Sequence, residues 1–196
     1  NFLILVLFFF FLIENTLPLF KASYNKTKHS GLNIFFTMTT IVINFAMAFI
    51  LAWAAVFVEA NNFGILNWMG ASILVCMTLG LLLMDFIGAW LAHYIEHHVT
   101  WMWQFHVIHH TDQHVDTTTG NRHHPGESVI RFLFTVIAVL IVGPPLWLVF
   151  MYQTISVILT QFNHSNVKMP SWLDTGLRLV ICTPNMHRVH HHYRQP

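Results

Sequence analysis

Residues 33–58 read NIFFTMTTIVINFAMAFILAWAAVFV, 26 consecutive positions with no charged side chain. A membrane-crossing helix needs about 20 mainly apolar residues, since each adds about 1.5 Å toward a hydrocarbon core of about 30 Å. This stretch meets that requirement with length left over for tilt. Downstream, residues 65–92 meet it again, with Asp85 the only charged side chain and placed near the end. Upstream, residues 1–20 are apolar from Phe2 to Ile13. No basic region precedes that run and no small-residue cleavage site follows it, so it reads as a membrane span cut at its start rather than a signal peptide.

Residues 129–162 are equally apolar but are interrupted by Gly143, Pro144 and Pro145. Consecutive prolines remove backbone donors and clash with the preceding turn, which rules out one straight helix. Each half spans about 14 to 17 residues, about 21 to 26 Å of helix. A short helical hairpin that turns at the prolines and returns to its starting face is expected. The charges agree. Lys21, Lys26 and Lys28 precede the 33–58 span, Arg122 and Arg131 lie before or at the start of the hairpin, and Lys168, Arg178, Arg188 and Arg194 follow it. The connection 59–64 has neither Lys nor Arg. With that connection outside, every basic residue and every histidine falls on the cytoplasmic side, as the positive-inside rule requires.

Hydrophobic residues make up 55 % of the chain and charged ones 9 %, too few charges for the surface of a soluble domain of this size. A formal charge of +1 gives no reason to expect a nucleic-acid partner. Cys76 and Cys182 are far apart and support neither a disulfide framework nor a thiolate metal motif. No internal repeat or linker divides the chain, so residues 1–196 read as one domain, and as a fragment at both ends. The expected fold class is all-α: an integral membrane helical bundle with a cytosolic histidine-rich metal-binding cap.

The compositional anomaly is histidine, with 15 His against 9 Lys plus Arg. HYIEH at 93–97 places His93 and His97 at i, i+4 on one helical face. HVIHH at 106–110 places His106, His109 and His110 at i, i+3 and i+4, and HRVHH at 187–191 repeats that spacing with His187, His190 and His191. Neutral imidazole binds Zn, Cu, Fe and Ni. A single zinc takes four ligands, or three when catalytic, so this many histidines suits two ions. Soluble di-iron bundles rely on glutamate, and Glu96, Asp112, Asp116 and Glu127 are few; a histidine-rich iron pair is the remaining option. His98, His114, His123 and His192 stay ambiguous, and His29 reads as a solvated loop residue. Asp85 either orients a ligand imidazole or caps its span, and Trp101 and Trp103 read as interfacial anchors. Two other classes compete: a histidine-rich metal transporter, and a zinc-dependent membrane protein with Glu96 as general base. Transporters place ionisable groups along a path inside the membrane, whereas these histidines gather at one face.

In order, the motifs HYIEH at 93–97, WQFHVIHH at 103–110, DTTTGNRHHPGE at 116–127, NHSN at 163–166 and NMHRVHHH at 185–192 resemble the fatty acid hydroxylase superfamily of membrane di-iron proteins, which includes sterol desaturases. The likeness extends over 85–193. It implies metal ligation by His93, His97, His106, His109, His110, His187, His190 and His191, with His124 and His164 matching two further family histidines. It also implies two Fe ions, O2 as co-substrate, an electron-donor protein of ferredoxin or cytochrome b5 type, and hydroxylation or desaturation of a sterol, fatty acyl or related lipid. Two departures stand out. Tyr94 replaces the usual Arg after the first histidine, and Asp85 precedes His93 by eight positions where seven is usual.

Overall fold

A computed structural model describes residues 2–21 and 23–192, so Arg194 lies outside the described residues. The chain is helical, with no strand among the described residues apart from an isolated bridge between Pro18 and Val167. The helices are α1 (Phe2–Thr16), α2 (Lys26–Ala60), α3 (Ile65–Trp68), α4 (Ile73–His98), α5 (Thr100–His110), α6 (Pro125–Val142), α7 (Leu146–His164), α8 (Ser171–Leu177) and α9 (Pro184–His190). A 3-10 turn covers Thr117–Asn121. Three helical segments, Lys26–Trp68, Ile73–His98 and Pro125–Val142, are long and apolar enough to cross a membrane. Contacts divide the chain into two compact units. The first holds Asn1–Met38, Val107–Arg122 and Ser156–Pro196, and the second Thr39–His106 and His123–Ile155.

The second unit carries the apolar core. Ala54, Ala55 and Val58 from α2, Met84 and Ile87 from α4, Val136, Ala138 and Val139 from α6, and Leu148 and Tyr152 from α7 are buried together. The outward residues of the same helices, among them Phe45, Phe49, Trp53 and Leu82, remain exposed. Such a surface suits lipid and not water. The expected 65–92 helix is broken. Gly70 takes a left-handed φ of 56°, and Ser72 then caps the next helix by accepting the Val75 amide at 3.4 Å. Within α4, Cys76–Gly80 and Phe86–Leu91 are π-helical turns, the second ending just before His93. Such turns shift the facing of every later side chain on a helix, and they often mark functional segments.

The hairpin forms where Gly143, Pro144 and Pro145 predict it. Gly143 ends α6 at φ 65° with its amide bonded to Val139 O at 2.9 Å, and the prolines lead into α7. Gly143 has a second reason to be glycine: a Cβ there would stand 2.2 Å from Phe63 O and 2.8 Å from Gly64 Cα. Asn67 ties this end together, donating to Phe63 O at 2.7 Å and Gly143 O at 3.0 Å. At the other end of α6, Ser128 meets Thr40 at 2.9 Å and Arg131 meets His93 at 2.9 Å. The triad-side contacts at Ser128 and Arg131 and the 59–64 connection at Gly143 therefore lie at opposite ends of α6, about 18–22 Å apart along its axis.

In the first unit, α1 contributes a buried carboxylate. Glu14 is 1 % exposed; it accepts the backbone amides of Thr117 at 3.0 Å and Asn166 at 3.1 Å and pairs with Lys26 at 2.9 Å. One side chain thereby gathers the end of α1, the start of α2, the 3-10 turn and the loop after α7. Asp116 caps the 3-10 turn, accepting the Thr118 amide at 2.9 Å.

Candidate metal centre

In the second unit, α4 supplies His93 and His97 one turn apart, and α5 supplies His106. The helices join at Val99, whose extended backbone (φ −98°, ψ 111°) turns the chain back after His98. The three rings are mutually equidistant: His93–His97 4.7 Å, His93–His106 4.7 Å and His97–His106 4.8 Å between centroids. Trp103 packs its ring 5.1 Å from His97, while Trp101 is exposed.

Charged groups that the sequence reading used otherwise surround this triad. Glu127 Oε1 lies 2.8 Å from His106 Nδ1 and 3.1 Å from Arg131 Nε. Arg131 Nη2 lies 2.9 Å from Glu96 Oε2 and 2.9 Å from His93 Nδ1. Glu96, His106 and Glu127 are each fully buried. In its carboxylate form Glu127 accepts only, and in that form it sets the His106 proton on Nδ1 and the lone pair on Nε2. Guanidinium only donates, so His93 Nδ1 accepts from Arg131, and ligation through His93 Nε2 requires that contact to be given up. Asp85, considered as the orienting carboxylate, is exposed on α4, and Glu127 is the carboxylate that meets an imidazole of the triad. In the sequence Arg131 marks only the side of the membrane. The available signal was a Glu/Arg pair at i, i+4 inside the start of an apolar run, where charges are costly unless they are partnered.

The first unit gathers four imidazoles: His109 from the end of α5, His164 from the end of α7, and His187 and His191 from α9 and its C-cap. Local chemistry sets α9. Thr183 caps it toward the Met186 amide and Pro184 occupies its first turn, which puts His187 and His191 on one face. The four Nε2 atoms face each other, with His109–His164 at 3.1 Å, His164–His187 at 2.8 Å and His187–His191 at 3.1 Å. Nitrogens bound about 2.05 Å from one ion stand about 2.9 Å apart at right angles. His164 Nδ1 donates to Thr160 O at 2.8 Å, which leaves its Nε2 lone pair directed at the other rings. Burial and the neighbouring His187, His110 and His190 push the His191 pKa down to about 2, so the ring stays neutral, the form that ligates. The donor set fits a first-row metal ion.

His110 and His190 lie beside this group with ring centroids 4.7 Å apart. His124, expected as a ligand, caps α6 instead: its Nδ1 accepts the Gly126 amide at 3.0 Å and its ring stacks on Phe105 at 4.9 Å. It belongs to none of the metal-holding groups of described residues. His98 bonds its own turn through Tyr94 O at 2.7 Å, His114 stacks on Tyr24 at 4.1 Å, His123 lies 3.8 Å from Glu127, and His192 is exposed. His29 is not a solvated loop residue. It sits in the first turn of α2 with Nε2 2.8 Å from Asp112. Burial alone would raise the Asp112 carboxyl, but the bonds from His29, the His114 amide and Thr119 outweigh it and hold the group well below the usual carboxylate range. Asp112 thus fixes the loop that follows the α5 histidines.

The profile described as fatty acid hydroxylase matches residues 77–196, well over half of the chain. This chain belongs to the fatty acid hydroxylase family. The matched region holds every histidine of the triad and of the four-imidazole group. A curated relative, ornithine lipid hydroxylase OlsE of Rhizobium tropici, is 28 % identical over 116 residues, which is 59 % of this chain and 34 % of the relative. The chain therefore spans about a third of that relative's length. No solved structure matches.

Proposed function

We propose that this chain forms the metal-binding part of a membrane lipid hydroxylase that uses two iron ions and O2. The observation that carries the reading is the facing of four Nε2 atoms from His109, His164, His187 and His191 at 2.8–3.1 Å. One ion is assigned to that group and a second to His93, His97 and His106. α5 supplies His106 to the second unit's group and His109 to the first unit's. His110 and His190 add two further imidazoles beside the first unit's group.

When bound, iron would supply the O2 activation and oxidising power needed to attack an unactivated C–H bond. The protein's residues do the rest. The Glu127 carboxylate and the Thr160 carbonyl accept hydrogen bonds from Nδ1–H of His106 and His164, which keeps both Nε2 lone pairs available. The apolar helices hold the site against lipid, from which an acyl chain enters sideways. The metal end of the second unit is assigned to the cytoplasmic face, because the opposite 59–64 connection lacks basic residues. There an electron donor of ferredoxin or cytochrome b5 type can reach it. The relative's name favours hydroxylation over desaturation, and a polar membrane lipid as substrate.

The test is to reconstitute the chain with Fe(II), a reductant, membrane lipids and isotopically labelled O2. One labelled oxygen atom per hydroxylated lipid supports the proposal. A protein that binds two irons yet transfers no labelled oxygen to any lipid of its host membrane contradicts it.

A further inference from the structure

The second unit contains a charged network built directly onto its histidine triad. Glu96 and Glu127 are each 0 % exposed, Arg131 touches both at 2.9 and 3.1 Å, and their partners are His93 and His106. Three charged side chains in an apolar bundle are expensive. Arg131 reaches the surface with a quarter of its side chain, but the two glutamates it pairs have no access to water that would relieve their cost. Nor is the Glu96–His106–Glu127 group itself a cation site, because the Arg131 guanidinium already bridges its two carboxylates. The carboxylates also do not serve one another, since Glu127 Oε2 is buried without a hydrogen-bond partner. What the network does accomplish is local: it brings an acceptor oxygen to His106 Nδ1 and a guanidinium donor to His93 Nδ1.

We propose that Glu127 is a positioning residue for His106, selecting the tautomer with the proton on Nδ1 and thereby aiming the Nε2 lone pair at the site shared with His93 and His97. Arg131 holds the Glu127 carboxylate in that orientation and anchors it to Glu96. The inference rests on the assignment of an ion to this triad. The four-imidazole group of the first unit fixes its own tautomer differently, through the Thr160 carbonyl at His164. That difference makes the proposal selective: perturbing Glu127 should affect one ion and spare the other.

Two near-isosteric substitutions separate tautomer control from packing and charge. Glu127→Gln keeps an acceptor oxygen within reach of His106 Nδ1 and loses the charge. Glu127→Met keeps the volume and removes the acceptor. The purified full chain, in detergent and without oxygen, is titrated with Fe(II) against a chromophoric chelator, and thermal unfolding is followed with excess chelator present. Wild type should bind two ions. Glu127→Met should retain one at wild-type affinity and bind the other about 10- to 100-fold more weakly, the range for loss of an outer partner of a ligand. Glu127→Gln should restore most of that loss. Equal weakening in both variants, or wild-type affinity in Glu127→Met, overturns the proposal. Should Glu127→Met not fold, the Gln variant decides alone: one site weakened less than about tenfold supports the proposal, and a hundredfold loss overturns it. Wild type binding fewer than two ions removes the assignment beneath the proposal, and so the proposal with it, and is read separately from the variants.

Discussion

Replacing His164 with alanine should strip the first unit's ion while leaving the second unit's in place. His164 is the middle of the Nε2 chain, 3.1 Å from His109 and 2.8 Å from His187, and it is 4 % exposed, so no solvent route offers a ready substitute. Four-ligand structural zinc sites bind with roughly 10–16 kcal/mol of apparent free energy, so one ligand in four accounts for about 2.5–4 kcal/mol, or about 10²–10³ in affinity. Losing the ring also deprives Thr160 O of its donor and leaves a cavity, which lowers stability whether or not metal is present. His124→Ala provides the control: it removes a helix cap, costs about 0.5–2 kcal/mol of stability, and touches none of the clustered imidazoles. The assay is Fe(II) binding by chelator competition alongside chelator-treated thermal unfolding. His164→Ala should lose about 10²–10³ in affinity at one of two sites. Two ions held at wild-type affinity by a folded His164→Ala protein, or an equal affinity loss in His124→Ala, would refute the reasoning.

Two further outcomes are expected. Gly143→Ala should destabilise the second unit by more than about 2 kcal/mol, because it combines a left-handed φ of 65° with a Cβ 2.2 Å from Phe63 O. Thermal unfolding in detergent should show this while iron stoichiometry stays at the wild-type value. Acid stability should depend on Asp112. Its carboxyl is lowered in the folded chain, so its contribution is complete above the unfolded pKa of about 3.9 and disappears as pH falls below that value. An acid titration of chelator-treated protein should give a shallower loss of stability below pH of about 4 in Asp112→Asn than in wild type; superimposable acid limbs would contradict this.

What the sequence revealed depends on how local each determinant is. The hairpin was legible because Gly143, Pro144 and Pro145 act on the backbone directly. Which histidines share a face was legible because i, i+3 and i+4 spacing translates into helix geometry; the structure brings His93 and His97 together, and likewise His187 and His191. The break in 65–92 was less visible, since Gly70 and Ser72 are unremarkable within an apolar run, and π-helical turns leave no periodic trace. Long-range partners were hidden altogether. Glu14 ends an apolar helix and looks like a boundary charge, yet it binds Thr117 and Asn166 more than 100 positions away. Glu127 and Arg131 likewise resemble the polar margin of a span, whereas their partners are histidines of two other helices, the buried His106 and the half-buried His93. His124 shows the reverse case. Motif order marked it as a ligand, while its position just before Pro125 is equally that of a helix cap, and the cap is what forms.

The most direct test of the account is the metal itself. Elemental analysis and iron X-ray absorption on the chain purified from membranes without chelator should give two irons per chain, with scattering from imidazole nitrogens at about 2.0–2.2 Å and none from sulfur. A well-folded protein that carries no metal and takes up none, or one that holds a single zinc, would contradict it.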